Sequence, residues 1–149
     1  MGSPENNLFI FLDQDGTTIV DKHHLSDYRE VELLPQAAEG LTKLKNLGFR
    51  LIVVTNQSGL ARGYLSEEEL TKIHARMTEL LHDKGITIED IMYCPHHPDD
   101  NCKCRKPGTK LLDDADGKYK FNYKKRFVIG DKEIDILMGK RFGGENSLY

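Results

Sequence analysis

Short apolar runs alternate with stretches of helical spacing along this 149-residue chain. Leu8 to Leu12 is an unbroken apolar run and predicts a buried strand. Pro35 to Leu47 carries Ala37, Ala38, Leu41, Leu44 and Leu47 at helical spacing, with Gly48 as the stop. Phe49 to Val54 shows no polar alternation past Arg50 and predicts a second strand buried on both faces. Ser66-Glu67-Glu68-Glu69 is a capping box opening a long helix with Leu70, Ile73, Met77, Leu80 and Leu81 on one side, closed by Gly85. Ile88 to Tyr93 is a third strand, residues 95–107 a polar loop, Thr109 to Asp116 a short helix, Arg126 to Ile129 a fourth strand and Glu133 to Lys140 a last helix. This alternation predicts an α/β fold, a parallel sheet with helices on both faces. The tail, Gly143-Gly144-Glu145-Asn146-Ser147-Leu148-Tyr149, leaves little room for another strand.

Chemistry gathers where the strands end. The first run closes Leu12-Asp13-Gln14-Asp15-Gly16-Thr17, placing two carboxylates at the carboxyl end of a strand, where α/β sheets bind ligands. Unpaired, they would repel each other, so a cation is expected between them, and Mg²⁺ suits hard oxygen donors. One carboxylate can attack phosphorus while the other moves protons. The plainer alternative is a polar turn, since Asp and Gly are ordinary turn residues. The second strand ends Thr55-Asn56-Gln57-Ser58-Gly59, a hydroxyl and two amides suited to a phosphate oxygen, or else a capped turn. Arg105-Lys106 adds adjacent cations, with Arg105 suited to bidentate phosphate contact. The fourth strand ends Gly130-Asp131-Lys132-Glu133-Ile134-Asp135. Asp131 is the better metal ligand there, being nearest the strand end; Asp135, one turn on, would ligate through water or cap the helix.

Composition narrows the class. The formal net charge is −3 with 30% charged residues, which argues against non-specific nucleic-acid binding. No stretch reaches transmembrane length. Residues 1–7 are polar, lack the apolar core of a signal peptide and are expected to be disordered, with 8–149 as one domain. A cytoplasmic monomer with neither nucleic acid nor membrane as partner is the expectation, and a small anionic substrate is compatible with the charge where Lys and Arg gather at a site. All three cysteines, Cys94, Cys102 and Cys104, fall in one polar segment with His96 and His97. Three thiolates and one imidazole make a closed tetrahedral Zn²⁺ site with a structural role; either histidine can be the fourth ligand.

Asp13-x-Asp15-Gly16-Thr17 resembles the first motif of the haloacid dehalogenase superfamily of phosphohydrolases. Thr55, Lys106 and Asp131 match its second, third and fourth motifs in order. The resemblance implies a single Rossmann-like sheet with the first and fourth strands adjacent. It also implies catalysis by Asp13 as nucleophile and Asp15 as acid and base, with Thr55 and Lys106 on the phosphoryl oxygens and Mg²⁺ on Asp13, Asp131 and the main-chain carbonyl of Asp15. Thr55 to Gly63 and the Cys94–Pro107 segment are similar to heptose-bisphosphate phosphatases of lipopolysaccharide precursor (ADP-heptose) synthesis, which hydrolyse the 7-phosphate of D-glycero-D-manno-heptose 1,7-bisphosphate. The histidinol-phosphate phosphatases share the zinc loop, and polynucleotide 3′-phosphatases are capless relatives. A zinc-stabilised, non-catalytic binding module is the rival from another class. The resemblance favours His96 over His97 on zinc and makes Asn56, Arg62, Arg105 and Lys132 candidates for the rest of the substrate. Gln14 stands where an Arg is common, and the resemblance gives it no role. The connection from Thr18 to Pro35 is too short for a cap domain, so specificity falls to the zinc loop and the Ser58–Gly63 loop. His23 and His24, soon after the first motif, are placed to line the entrance, but read more plainly as a solvated pair and are not counted as site residues.

Overall fold

A computed structural model describes residues 8–119, 126–142 and 145–148. The expected disorder of residues 1–7 lies outside them. Five strands, β1 (Phe9–Leu12), β2 (Arg50–Asn56), β3 (Ile88–Cys94), β4 (Arg126–Gly130) and β5 (Glu145–Leu148), form one sheet in the order β3-β2-β1-β4-β5. Every pairing is parallel, with Leu12 opposite Val53 on one side and Ile129 on the other. The neighbours β1 and β4 thus bring residues more than a hundred positions apart to one edge, as expected.

Alternation along β1 feeds two cores. Ile10 and Leu12 join the layer of Leu41, Leu70, Ile73, Met77 and Leu81, drawn from helices α1 (Ala37–Asn46) and α3 (Glu67–His82). Phe9 and Phe11 join Leu112, Ala115 and Met138, from α4 (Lys110–Tyr119) and α5 (Glu133–Phe142), on the opposite face. All four β1 side chains are at most 2% exposed, each worth ~1.5–3 kcal/mol of burial. That anchors the strand from which Asp13 and Asp15 project. The capping box on α3 forms as expected: Glu69 N–H donates to Ser66 Oγ at 3.0 Å, and Ser66 N–H to Glu69 Oε1 at 2.9 Å.

Two expectations are corrected. The tail does supply another strand: β5 pairs Phe127 through Gly130 with Glu145 through Leu148. It gives the outer side of β4 backbone partners, which pattern could not reveal because Leu148 is the only apolar residue among the four. The Ser58–Gly63 loop contains a helical turn, α2 (Gly59–Arg62), closed by Gly63 in the left-handed region. The stretch between β1 and α1 has one 3-10 turn, Tyr28–Glu30, and two isolated bridges through Ile19. No helix among the described residues is long and apolar enough to cross a membrane.

Candidate active site

Asp13 leaves the end of β1 still held by the sheet, its N–H donating to the Ile129 carbonyl at 3.0 Å. Its side chain is 7% exposed, and Oδ1 accepts from Gln14 N–H at 2.9 Å and from Lys106 Nζ at 2.8 Å. Lys106 is equally buried. Its other two ammonium protons go to Asp135 Oδ1 at 2.7 Å and the Val54 carbonyl at 2.9 Å. An ammonium has three protons, so the lysine is fully engaged by the protein. Its backbone is fixed by Asn56, whose Oδ1 accepts from Lys106 N–H at 2.8 Å while Nδ2 donates to the Lys106 carbonyl at 3.4 Å. Asn56 therefore orients the lysine as well as lining the cavity, a role sequence reasoning missed.

The carboxylate oxygens of Asp13, Asp131 and Asp135 lie within 4.8 Å of one another. Asp135, expected to ligate through water or cap a helix, is 1% exposed and contributes directly to this cluster. Its Oδ2 is buried with no hydrogen-bond partner among the described residues. Burial raises the Asp135 carboxyl, the Lys106 charge pulls it back, and Asp13 raises it again. Such a set suits a hard divalent cation: Mg²⁺ fits the three oxygens and would satisfy the orphaned one. The Asp15 side chain stands outside the cluster. Two glycines make it sterically possible. A Cβ on Gly16, at φ +84°, would collide with Asp131, and one on Gly130 would collide with Asp135.

Asp15 is pushed up to about 6, first by burial and then by the charge of Asp13 and Asp21, with Gln57 and Gln14 drawing it down. Gln57 Nε2 donates to Asp15 Oδ2 at 3.3 Å and to Thr55 Oγ1 at 3.0 Å. A carboxyl with this affinity can give and take a proton near neutral pH. Around it lies a 200 Å³ cavity lined by Asp13, Asp15, Thr55, Arg105, Lys106 and Lys132, among others. Arg105 Nη1 is buried with no hydrogen-bond partner among the described residues. A second cavity of 460 Å³ shares Asp15, Asn56 and Ser58 with the first. The candidate cations divide between them: Arg105 and Lys132 line the smaller, Arg62 the larger. His23 and His24, read from sequence as lining the entrance or, more plainly, as a solvated pair, line the larger cavity, with the His24 and Tyr64 ring centroids 4.2 Å apart and tilted at 59°.

At the end of β3, Cys94, His96, Cys102 and Cys104 bring their donor atoms within 4.8 Å of one another. Cys94 Sγ is 3.4 Å from His96 Nδ1, 3.5 Å from Cys102 Sγ and 2.9 Å from Cys104 Sγ. No disulfide links them. Tetrahedral Zn²⁺ with ~2.3 Å bonds to sulfur needs donors this close, and the S₃N set fits it. His97 is occupied elsewhere: its Nδ1 accepts from Asp99 N–H at 3.1 Å, capping the turn Pro98–Asp100. Cys94 and Cys104 pack into the α4–α5 core, so the cluster is anchored directly before Arg105 and Lys106.

A model of the family described as polynucleotide kinase 3 phosphatase matches residues 8–138. The chain is 36% identical over 140 residues to a D-glycero-alpha-D-manno-heptose-1,7-bisphosphate 7-phosphatase of Photorhabdus laumondii, covering 89% of this chain and 76% of that protein. It is 39% identical over 133 residues to a probable D-glycero-D-manno-heptose-1,7-bisphosphate 7-phosphatase of Thermoplasma volcanium, covering 89% and 91%. Among solved structures it is similar to a D,D-heptose 1,7-bisphosphate phosphatase from B. bronchiseptica complexed with magnesium and phosphate. That match has a TM-score of 0.87, 31% identity, and coverage of 95% of this chain and 79% of the other.

Proposed function

Since the chain belongs to the polynucleotide kinase 3 phosphatase family, of haloacid dehalogenase type, we propose that it hydrolyses the 7-phosphate of a heptose 1,7-bisphosphate through an aspartyl-phosphate. The observation that carries the chemistry is the placement of Asp13, paired with Lys106 at 2.8 Å, two residues from Asp15, which burial pushes up to about 6. Asp13 Oδ1 is engaged by Lys106 and the Gln14 N–H, which leaves Oδ2 to attack phosphorus. Asp15 protonates the leaving alkoxide and then takes a proton from the hydrolytic water. Thr55 Oγ1 and the Arg105 guanidinium receive the phosphoryl oxygens. Asp13, Asp131 and Asp135, with the Asp15 main-chain carbonyl, would hold Mg²⁺, which offsets the charge of the phosphoryl group. Cys94, His96, Cys102 and Cys104 would hold Zn²⁺ as a structural clamp on the Arg105–Lys106 segment.

Substrate choice follows from the larger cavity. With one phosphate in the 200 Å³ site, the sugar runs toward Arg62, which suits a second phosphate, whereas the cationic amine of histidinol phosphate meets repulsion there. A second reading, removal of a 3′-phosphate from a polynucleotide, is favoured by the family's description; the net charge of −3 counts against it. The test is turnover of heptose 1,7-bisphosphate, histidinol phosphate and a 3′-phosphorylated oligonucleotide with Mg²⁺. The expected kcat/KM for the heptose exceeds the others at least about tenfold, ~1.4 kcal/mol of transition-state binding. Asp13→Asn abolishes turnover of all three. Wild-type turnover in Asp13→Asn sinks the mechanism; another ranking sinks the substrate assignment alone.

A further inference from the structure

His74 has no part in the chemistry above, yet it reaches the site at one remove. It sits on α3 between the core residues Ile73 and Met77, its ring 5.8 Å from Tyr93. Its Nε2 lies 2.9 Å from Oε1 of Gln14, the 2%-exposed residue between Asp13 and Asp15. An amide oxygen only accepts, so Nε2 carries the proton. Burial holds the ring at about 4, and it stays neutral with a single N–H at working pH. With Oε1 engaged by His74, the Gln14 NH₂ turns to the other side, where it acts on the Asp15 carboxyl together with the Gln57 amide. Without His74 nothing fixes which end of that amide faces Asp15, since the last torsion of Gln is broad and two-fold. A reversed amide would present an acceptor to a group that must itself donate.

We infer that His74 is a positioning residue: through Gln14 it fixes the orientation in which Asp15 delivers its proton to the leaving oxygen. The inference rests on Asp15 being the general acid. It also gives Gln14 a role that the resemblance to known phosphatases leaves blank.

The leaving group provides the test. Phenolate needs protonation as it departs, whereas p-nitrophenolate needs little, so a defect confined to the acid separates phenyl phosphate from p-nitrophenyl phosphate in kcat/KM. His74→Phe keeps the ring and its packing but loses the N–H. It is expected to lower kcat/KM for phenyl phosphate about tenfold, the size of one lost hydrogen bond, and for p-nitrophenyl phosphate less than twofold. His74→Gln, which restores a donor, recovers most of the loss. Gln14→Leu shows the same split, and His74→Phe added to it costs nothing further. Equal losses on both substrates, or additive losses in the double variant, overturn the inference. Asp15→Asn is the control. If it shows no split, the acid assignment itself fails; if it shows the split and His74→Phe does not, only the role of His74 fails.

Discussion

Replacing Lys106 by Met removes the one ammonium that Asp13 and Asp135 share and nearly preserves its volume. Both carboxylates are under 10% exposed, and both lie within 3 Å of the ammonium. Breaking a buried pair on one side costs ~3–5 kcal/mol, because a charge is left without its partner. Here the ceiling can be worked separately. One proton restores the lost positive charge, and protonating a carboxylate of ordinary affinity, 3.8, costs ~1.4 kcal/mol per pH unit above that value. The deficit should approach ~4 kcal/mol at pH 7 and fall below ~2 kcal/mol at pH 5. The sign follows from proton uptake. In the variant the folded state binds the extra proton and the unfolded state does not, so stability relative to wild type is lost as pH rises from 3.8. Urea unfolding with EDTA at the two pH values measures this. Turnover should fall sharply at either pH, because the charge that balances Asp13 and Asp135 is gone. A deficit below 1 kcal/mol at pH 7, or one equal at both pH values, would refute the account of Lys106 as the counter-charge of the cluster.

Two further outcomes are expected. Gly130→Ala drives a Cβ into the Asp135 carboxyl, so Mg²⁺ titration of activity should shift to higher concentration, with ~1–3 kcal/mol lost to overpacking; an unchanged Mg²⁺ midpoint would show that Asp135 has room to move. About one zinc per chain should be found by elemental analysis, and Cys102→Ser should release it and lower kcat while thermal unfolding of the sheet changes little, since the first core draws nothing from the loop and the second rests mainly on β1, β2, α4 and α5; zinc-free protein with full activity contradicts the clamp.

Most of the fold was legible because its strands are central and buried on two faces. Phe9 to Leu12 and Leu51 to Val54 are apolar without interruption, and such runs admit few readings once helical spacing separates them. The helix over Glu67–His82 announced itself twice, by its capping box and by its apolar stripe. Short edge elements failed for the complementary reason. β5 owes its place to backbone pairing with β4, and backbone hydrogen bonds leave no mark on residue type. The four-residue α2 is shorter than the period needed to see it.

The same division runs through the site. Asp13, Asp15, Thr55 and Asp131 end a strand or closely follow one, so position drew attention to them, whereas Lys106 lies inside a loop and stood out through the resemblance. Asn56, Gln14, His74 and Asp135 act through side-chain hydrogen bonds that close distances of 29 to 60 residues, and each looks ordinary where it stands. Asn56 resembles a turn residue, Gln14 an interloper between two acids, His74 a polar position on an amphipathic helix. Their chemistry exists only after the sheet has assembled. Parallel strands deliver every carboxyl end to one edge, and that edge gathers three carboxylates whose mutual repulsion would open it. One fully engaged lysine, held at its backbone by an amide from the neighbouring strand, closes the edge again. On the proposed mechanism the reactive geometry depends on supporting groups such as Gln14 and His74 as much as on the reacting ones, and variation in them would retune Asp15 while leaving every recognisable motif intact.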